Sequence, residues 1–258
     1  MSYDALQDLT MAGVVWEITD LPSVFAANNI AKPADGNPTP KKDTAGPSGR
    51  VATTVVPPIT PIQPMSIEIA RAMAARPADM PSLLRMISEF NHPLRAGATN
   101  VVLPHAAANT GGLVIISDIP GSEDDASGNI LSGNAGELMD KMLAAIGMSR
   151  DVVSIIPMLF WRTPGGRTPS HEELELSRPF VDRAIEILSP RVILTLGALP
   201  ATEIGGVSLA NSMGKIINSD AGYCIVPIYH PNYLLLKPAA KRDTWIALQA
   251  VQNMLKTA

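Results

Sequence analysis

Four short apolar runs, at residues 112–118, 152–159, 191–196 and 224–229, set the tightest limit on what this chain can fold into. Each is too short for a buried helix and too continuously apolar for a strand with one wet face. Each therefore reads as a strand covered on both sides. The intervals between them are long enough for crossover helices. Between the first two, Leu138, Met139, Met142, Leu143 and Ile146 form one stripe of a helix expected from about Ala135 to Gly147. Between the second and third, Ser170 and Glu173 make a capping box that opens a helix ending at Ser189-Pro190. After the fourth, Trp245, Leu248, Val251 and Leu255 mark a terminal helix, and helical spacing at 67–75 and 82–90 precedes the first strand. This alternation predicts an α/β fold: a three-layer α/β/α sandwich with a short, mainly parallel four-stranded sheet.

Ahead of that domain, placed at 65–258, the spacing of Leu6, Leu9, Met11, Val14, Val15, Trp16 and Ile18 predicts an amphipathic helix within residues 1–27. Its apolar face is expected to dock on its own domain or on a protein partner. Residues 28–64 are crowded with Pro, Gly, Lys, Thr and Asp and read as a flexible linker. A net charge of −4 gives no basic footprint to the whole protein, so nucleic-acid binding must come from a local cluster of Lys and Arg. The single cysteine, Cys224, rules out an intramolecular disulfide and suits a reducing compartment. With no leader-like segment and no run of 18 apolar residues, the expectation is a cytoplasmic, nucleoid-associated monomer that contacts no membrane.

In an open parallel sheet, ligands bind beyond the carboxyl ends of the strands, so the loops there carry the chemistry. The first run ends in Ser117-Asp118-Ile119-Pro120-Gly121, the second in Trp161-Arg162-Thr163-Pro164-Gly165-Gly166-Arg167, and the fourth in His230-Pro231-Asn232-Tyr233-Leu234-Leu235-Leu236-Lys237. An acid at one strand end and a histidine at another suit acid–base or charge-stabilised bond cleavage across a cleft. Taken one at a time, Asp118 reads equally as a turn or cap residue and His230 as a hydrogen-bonded loop residue.

The order of the loops resembles the family 4 uracil-DNA glycosylases over about residues 83–258. The first loop is similar to that family's Gly-Glu-Ala-Pro-Gly motif, and Gly128 to Leu138 resembles its Gly-x-Pro-Phe-x-Gly-x-Ala-Gly-x-Leu segment. Arg150 to Pro169 resembles the strand leading into Trp-Arg-Pro-Pro-Gly-Asn-Arg-Thr-Pro, and His230 to Leu235 resembles His-Pro-Ala-Tyr-Leu-Leu. The stretches Leu94 to Asn100 and Lys237 to Asp243 fit as well. The resemblance implies a DNA repair enzyme that hydrolyses the glycosidic bond of uracil, or of a related deaminated base, after flipping the nucleotide out of the duplex. It implies catalytic roles for Asp118 and His230, and base contacts from Ser117, Ile119, Leu131 and Pro157. Arg162, Arg167, Tyr233, Leu234, Leu235 and Lys237 are the implied DNA contacts, with Lys241 and Arg242 also near phosphates.

The chain departs from the family pattern at several of these positions. Asp118 stands where the family has Glu, drawing the carboxylate back by one methylene, and a displacement of about 1 Å at a reacting centre costs on the order of 100-fold. An ungapped reading from Arg150 to Arg162 places Pro157 at the base-reading Asn, and a local gap would bring Ser154 there instead. Leu131 replaces a stacking Phe, and Gly166 replaces an Asn. His92 and Ser177 stand where two cysteines of the family's iron–sulfur cluster are expected. One thiolate cannot build a cluster, so no cofactor is expected. Cys224 reads as a small buried hydrophobe and His92 as a surface or capping residue. These substitutions predict weakened or altered base specificity, with a catalytically impaired DNA-binding relative, or a small-molecule hydrolase on a similar sheet, as the alternatives.

Overall fold

The computed structural model describes residues 66–107 and 112–256. The expected N-terminal helix and the linker lie outside the described residues. The four apolar runs form strands β1 (Leu113–Ser117), β2 (Ser154–Pro157), β3 (Val192–Leu196) and β5 (Cys224–Ile228), all parallel in the order β2-β1-β3-β5. A fifth strand, β4 (Ile217–Asn218), runs antiparallel on the outer edge of β5. Two residues are too few to show a periodicity. The strand exists because the turn after it, in which Ser219 N–H bonds the Tyr223 carbonyl and Gly222 N–H bonds the Ser219 carbonyl, folds it back on β5.

Both faces of the sheet are covered, which is why the runs are apolar throughout. On one face, Val114, Ile116, Ile156 and Ile193 pack under helices α1 (Ile67–Ala74), α2 (Met80–Glu89) and α5 (His171–Leu188). On the other, Leu113, Ile115, Ile155 and Leu194 meet Met139 and Leu143 of α4 (Gly133–Ala145) and Leu248 and Val251 of α9 (Lys241–Lys256). The capping box that opens α5 forms as expected: the Ser170 hydroxyl accepts from Glu173 N–H at 3.2 Å, and the Glu173 carboxylate accepts from Ser170 N–H at 2.8 Å. Short helices α3 (Ser122–Ser127), α6 (Ala198–Glu203), α7 (Leu209–Ser212) and α8 (Pro231–Leu236) fill the connections. Among the described residues no helix is long and apolar enough to cross a membrane.

Parallel pairing brings the carboxyl ends of β1, β2, β3 and β5 to one edge. The loops carrying Asp118, Met158 to Arg167, Gly197 and His230 therefore meet there. Asp124 and Asp125 lock the first of these loops, and both are buried. Asp124 accepts from Gly121 N–H at 2.8 Å and Ser132 N–H at 2.7 Å, while Asp125 accepts from Thr99 and Asn100 N–H. Of the acidic residues after Gly121, Asp124 and Asp125 are thus internal scaffolding, while Glu123 is exposed.

Candidate active site

Asp118 leaves the end of β1, and His230 is the N-cap of α8 directly after β5. They converge over Gly197, the first residue past β3. Gly197 has φ +99° and ψ −178°, a backbone conformation open essentially to glycine alone. A Cβ placed there would lie 3.2 Å from Asp118 Oδ2 and 3.6 Å from His230 Cβ. Glycine at this junction therefore lets acid and imidazole share one corner, a role the sequence pattern did not single out.

The His230 ring is held in one tautomer. Its Nδ1 accepts the Asn232 N–H at 3.2 Å, so the ring proton sits on Nε2, which lies 3.5 Å from the Ser117 hydroxyl at the outer limit of hydrogen bonding. Burial pushes the imidazole down from 6.5 to about 4, against a smaller upward pull from the charge of Asp124. At neutral pH His230 is an uncharged Nε2–H donor. Burial has the opposite effect on the acid and raises the Asp118 carboxyl above its ordinary 3.8, offset in part by the Ile119 N–H that Oδ1 accepts at 2.9 Å. The site thus pairs a neutral donor with a carboxylate whose negative charge water screens weakly.

His230 opens onto a cleft of about 120 Å³ walled by Ile119, Gly121, Glu123, Leu131, Ala135 and Asn232. At about 30 Å³ per water, that is the space of roughly four waters, the scale of one small planar ring. A larger hollow of about 460 Å³ is lined by Asp182, Glu186, Pro190 and Tyr223. It lies where the chain enters β3 and β5, the wrong end of a parallel sheet for strand-end chemistry.

Of the expected base contacts, Ile119 and Leu131 wall the cleft. Ser117 and Pro157 are paired across β1 and β2 and buried beneath it. The expected DNA contacts divide. Tyr233 and Leu235 are 44% and 42% exposed, and Tyr233 stacks on Tyr229 with ring centres 4.8 Å apart. Leu234, in contrast, is 1% exposed, because the helical turn of α8 rotates it into the core. Leu236, which the sequence reading passed over, is 78% exposed beside the exposed Lys237. Arg167 is already engaged: its Nη1 and Nη2 bond the Glu173 carboxylate at 2.9 and 2.5 Å. The buried Nε of Arg162 has no hydrogen-bond partner among the described residues.

His92 caps a 3₁₀ turn, Pro93–Gly97, from a buried position rather than from the surface. Its Nδ1 accepts the Leu94 N–H at 3.1 Å, which leaves Nε2–H to donate to the Glu173 carbonyl at 3.0 Å. The ring stacks on Trp161 at 5.1 Å and 12°. Burial lowers its basicity, so it packs as a neutral aromatic. Ser177, one turn beyond Glu173 on α5, is fully buried, and its hydroxyl has no hydrogen-bond partner among the described residues. A cluster needs several thiolates. The one cysteine, Cys224, lies half-buried in β5 with Sγ 3.3 Å from Asn218 Oδ1, and both nitrogens of His92 are occupied, so these residues do not fit an iron–sulfur cluster. Among the described residues, no three His, Cys, Asp or Glu side chains are grouped to hold a metal ion.

Fold and site together define a class: an α/β protein whose mainly parallel sheet brings one carboxylate and one neutral imidazole together at the carboxyl ends of its strands. The model of the uracil DNA glycosylase superfamily matches residues 104–251, more than half of the chain, and the chain belongs to that superfamily. Among curated proteins it is similar to the type-4 uracil-DNA glycosylase of Thermotoga maritima, at 35% identity over 146 residues covering 55% of this chain and 76% of the relative. The type-4 enzyme of Pyrobaculum aerophilum is 33% identical over 143 residues, covering 51% of this chain and 72% of the relative. That of Archaeoglobus fulgidus is 30% identical over 140 residues, covering 51% and 70%.

Proposed function

We propose that the chain is a DNA repair glycosylase that hydrolyses the N-glycosidic bond of uracil, or of a related deaminated base, in DNA and leaves an abasic site. The observation that carries this reading is the His230 tautomer. His230, a neutral Nε2–H donor, lines the cleft, with a carboxylate beside it, at the corner that Gly197 keeps open. Cleavage breaks the bond between C1′ and the base nitrogen, and the electron pair leaves with the base. His230 Nε2–H donates to the base oxygen as negative charge develops there. Asp118 stabilises the positive charge on the sugar and orients the water whose oxygen bonds C1′; that water's proton passes to solvent or to the departing base. A base in the stack is out of reach of these groups, so the nucleotide must first be flipped. The exposed Tyr233, Leu235 and Leu236 of α8 press into the vacated stack, and Arg162 and Lys237 supply local positive charge near phosphates.

The substrate range is shifted from that of the family. Pro157 offers no side-chain hydrogen bond and lies buried, so recognition of the base edge by a paired amide is lost, and Leu131 gives an apolar wall in place of a stacking ring. The reading requires no iron–sulfur cluster: His92, at a position where the resemblance expects a cluster cysteine, packs instead against the Trp161 and Phe90 rings. The test is single-turnover incubation with labelled uracil-containing and hypoxanthine-containing DNA, followed by alkali, beside a His230→Ala control. Cleavage lost in the control supports the reading and identifies the base. DNA binding without product, for every base offered, replaces it with a non-catalytic DNA-binding relative.

A further inference from the structure

Leu131 is one of two non-glycine residues with positive φ among the described residues, at +52°, and it is buried in the cleft wall opposite Ile119 and His230. A left-handed leucine is disfavoured by its Cβ and persists only when its surroundings over-determine it. Here they do, from three sides. The Arg150 guanidinium donates from Nη1 to the Ile130 carbonyl at 3.0 Å and from Nη2 to the Leu131 carbonyl at 2.7 Å. The next amide, Ser132 N–H, is taken by Asp124 at 2.7 Å. The Leu131 carbonyl also rests on Gly136 of α4, where any Cβ would collide with it. Arg150 is itself oriented by Asp140, which accepts from Nε at 2.5 Å. Leu131 lines the cleft together with Asp124 and Ser132, whereas Arg150, Asp140 and Gly136 do not, so the Arg150 tie acts on the cleft only through where that wall stands.

We propose that Arg150, oriented by Asp140, is the positioning residue that sets base retention in this site, by clamping residues 130 and 131 so that Leu131 presents a rigid apolar wall to the flipped base. This rests on the glycosylase reading above and adds to it the device that governs retention. A leucine has no ring face to hold a base, so its grip depends on fit, and fit depends on the clamp. Arg rather than Lys is required, because only a planar fork reaches two successive carbonyls and the Asp140 carboxylate together.

The test compares Arg150→Lys with Arg183→Lys. Arg183 donates from Nε and Nη2 to the Pro77 carbonyl, far along the chain from the cleft residues, and so controls for the loss of an arginine-to-carbonyl tie. Retention is uniform binding, so Arg150→Lys is expected to raise KM and the inhibition constant of free uracil by about 10-fold while kcat stays within about 3-fold. Asp140→Asn, which keeps the guanidinium, moves both the same way by about 3-fold and serves if Arg150→Lys folds poorly. Independently of activity, amide exchange over residues 130–136 is expected to quicken by about 10-fold in Arg150→Lys and to stay unchanged in Arg183→Lys. Equal KM shifts in the two arginine variants, or unchanged exchange at 130–136, overturn the proposal. Wild-type protein that releases no base from any DNA overturns the glycosylase reading instead, and because exchange needs no substrate the two failures are told apart.

Discussion

Replacing Glu173 by Gln tests how the loop after β2 is held. The Glu173 side chain is 11% exposed and receives Arg167 through two bonds, and that hydrogen bonding, above the other contributions, draws its carboxyl down from 4.5 to about 2. At 1.36 kcal/mol for each tenfold change in proton affinity, the full value is about 3 kcal/mol. Solvent screening reduces this, because 48% of the Arg167 side chain is exposed, and about 1.5 kcal/mol is the expected contribution. Glutamine keeps one acceptor oxygen for the Ser170 N–H of the capping box, but its NH2 cannot accept from Arg167, so the variant removes the charge and one bond of the Arg167 fork. In a domain of this size that is a fall in melting temperature of roughly 3–6 °C at pH 7. The sign with pH follows from the direction of the shift. A depressed carboxyl contributes stability that is present above about 4.5 and lost as pH falls toward about 2, so wild type and Glu173→Gln should converge near pH 2–3. Circular dichroism melts of both proteins at pH 7 and pH 3 measure this. A difference of the same size at both pH values refutes an electrostatic origin, and no difference at pH 7 refutes the assigned strength of the pair.

Three further expectations bear on the reaction. kcat/KM should rise with pH through an ionisation above 3.8, as Asp118 loses its proton, and then stay flat through neutrality because His230 is already uncharged; a limb centred near 6.5 would mean that the imidazole titrates as an exposed one. Gly197→Ala should slow single-turnover cleavage by about 100-fold, since the added methyl displaces Asp118 and the backbone resists φ +99°; a rate within about 3-fold of wild type would show that the corner has slack. Leu236→Ala should leave the melting temperature unchanged, as the side chain is 78% exposed, and should weaken KM by about 10-fold on double-stranded but not single-stranded uracil-DNA; equal effects on both would remove its role in displacing the stack.

The parts of the fold that were legible in the sequence are those written in local pattern. Continuous apolar runs gave the four parallel strands because both sheet faces are covered, and Ser170 with Glu173 marked a helix start that depends on two residues within a four-residue span. The same reasoning could not find β4, whose existence depends on its turn. It also misjudged Leu234, because a stretch read as loop coils into α8 and turns one leucine of three inward. Arg167 looked available to phosphate until its partner on α5 was in place. Gly197 and Arg150 left no local signal at all. The first matters through what its missing side chain leaves room for, and the second through two carbonyls some twenty residues earlier in the chain.

The departures from the family pattern are not scattered evenly over the site, and their distribution argues for a changed substrate rather than a lost reaction. His230, the amide that fixes its tautomer and the nearby Gly197 form one intact unit at the carboxyl end of the sheet. The carboxylate next to them is shorter by one methylene but remains half-buried beside that unit, where desolvation raises its proton affinity. Of the positions where the pattern changes most in chemical character, Leu131 walls the cleft and Pro157 lies buried at the end of β2, paired with Ser117. A protein that only bound DNA would have no use for a neutral, tautomer-fixed donor held in a cleft, since phosphate contacts alone supply non-specific affinity. A protein that still cleaved but read a different base would keep the donor and lose the amide, which is the combination found here.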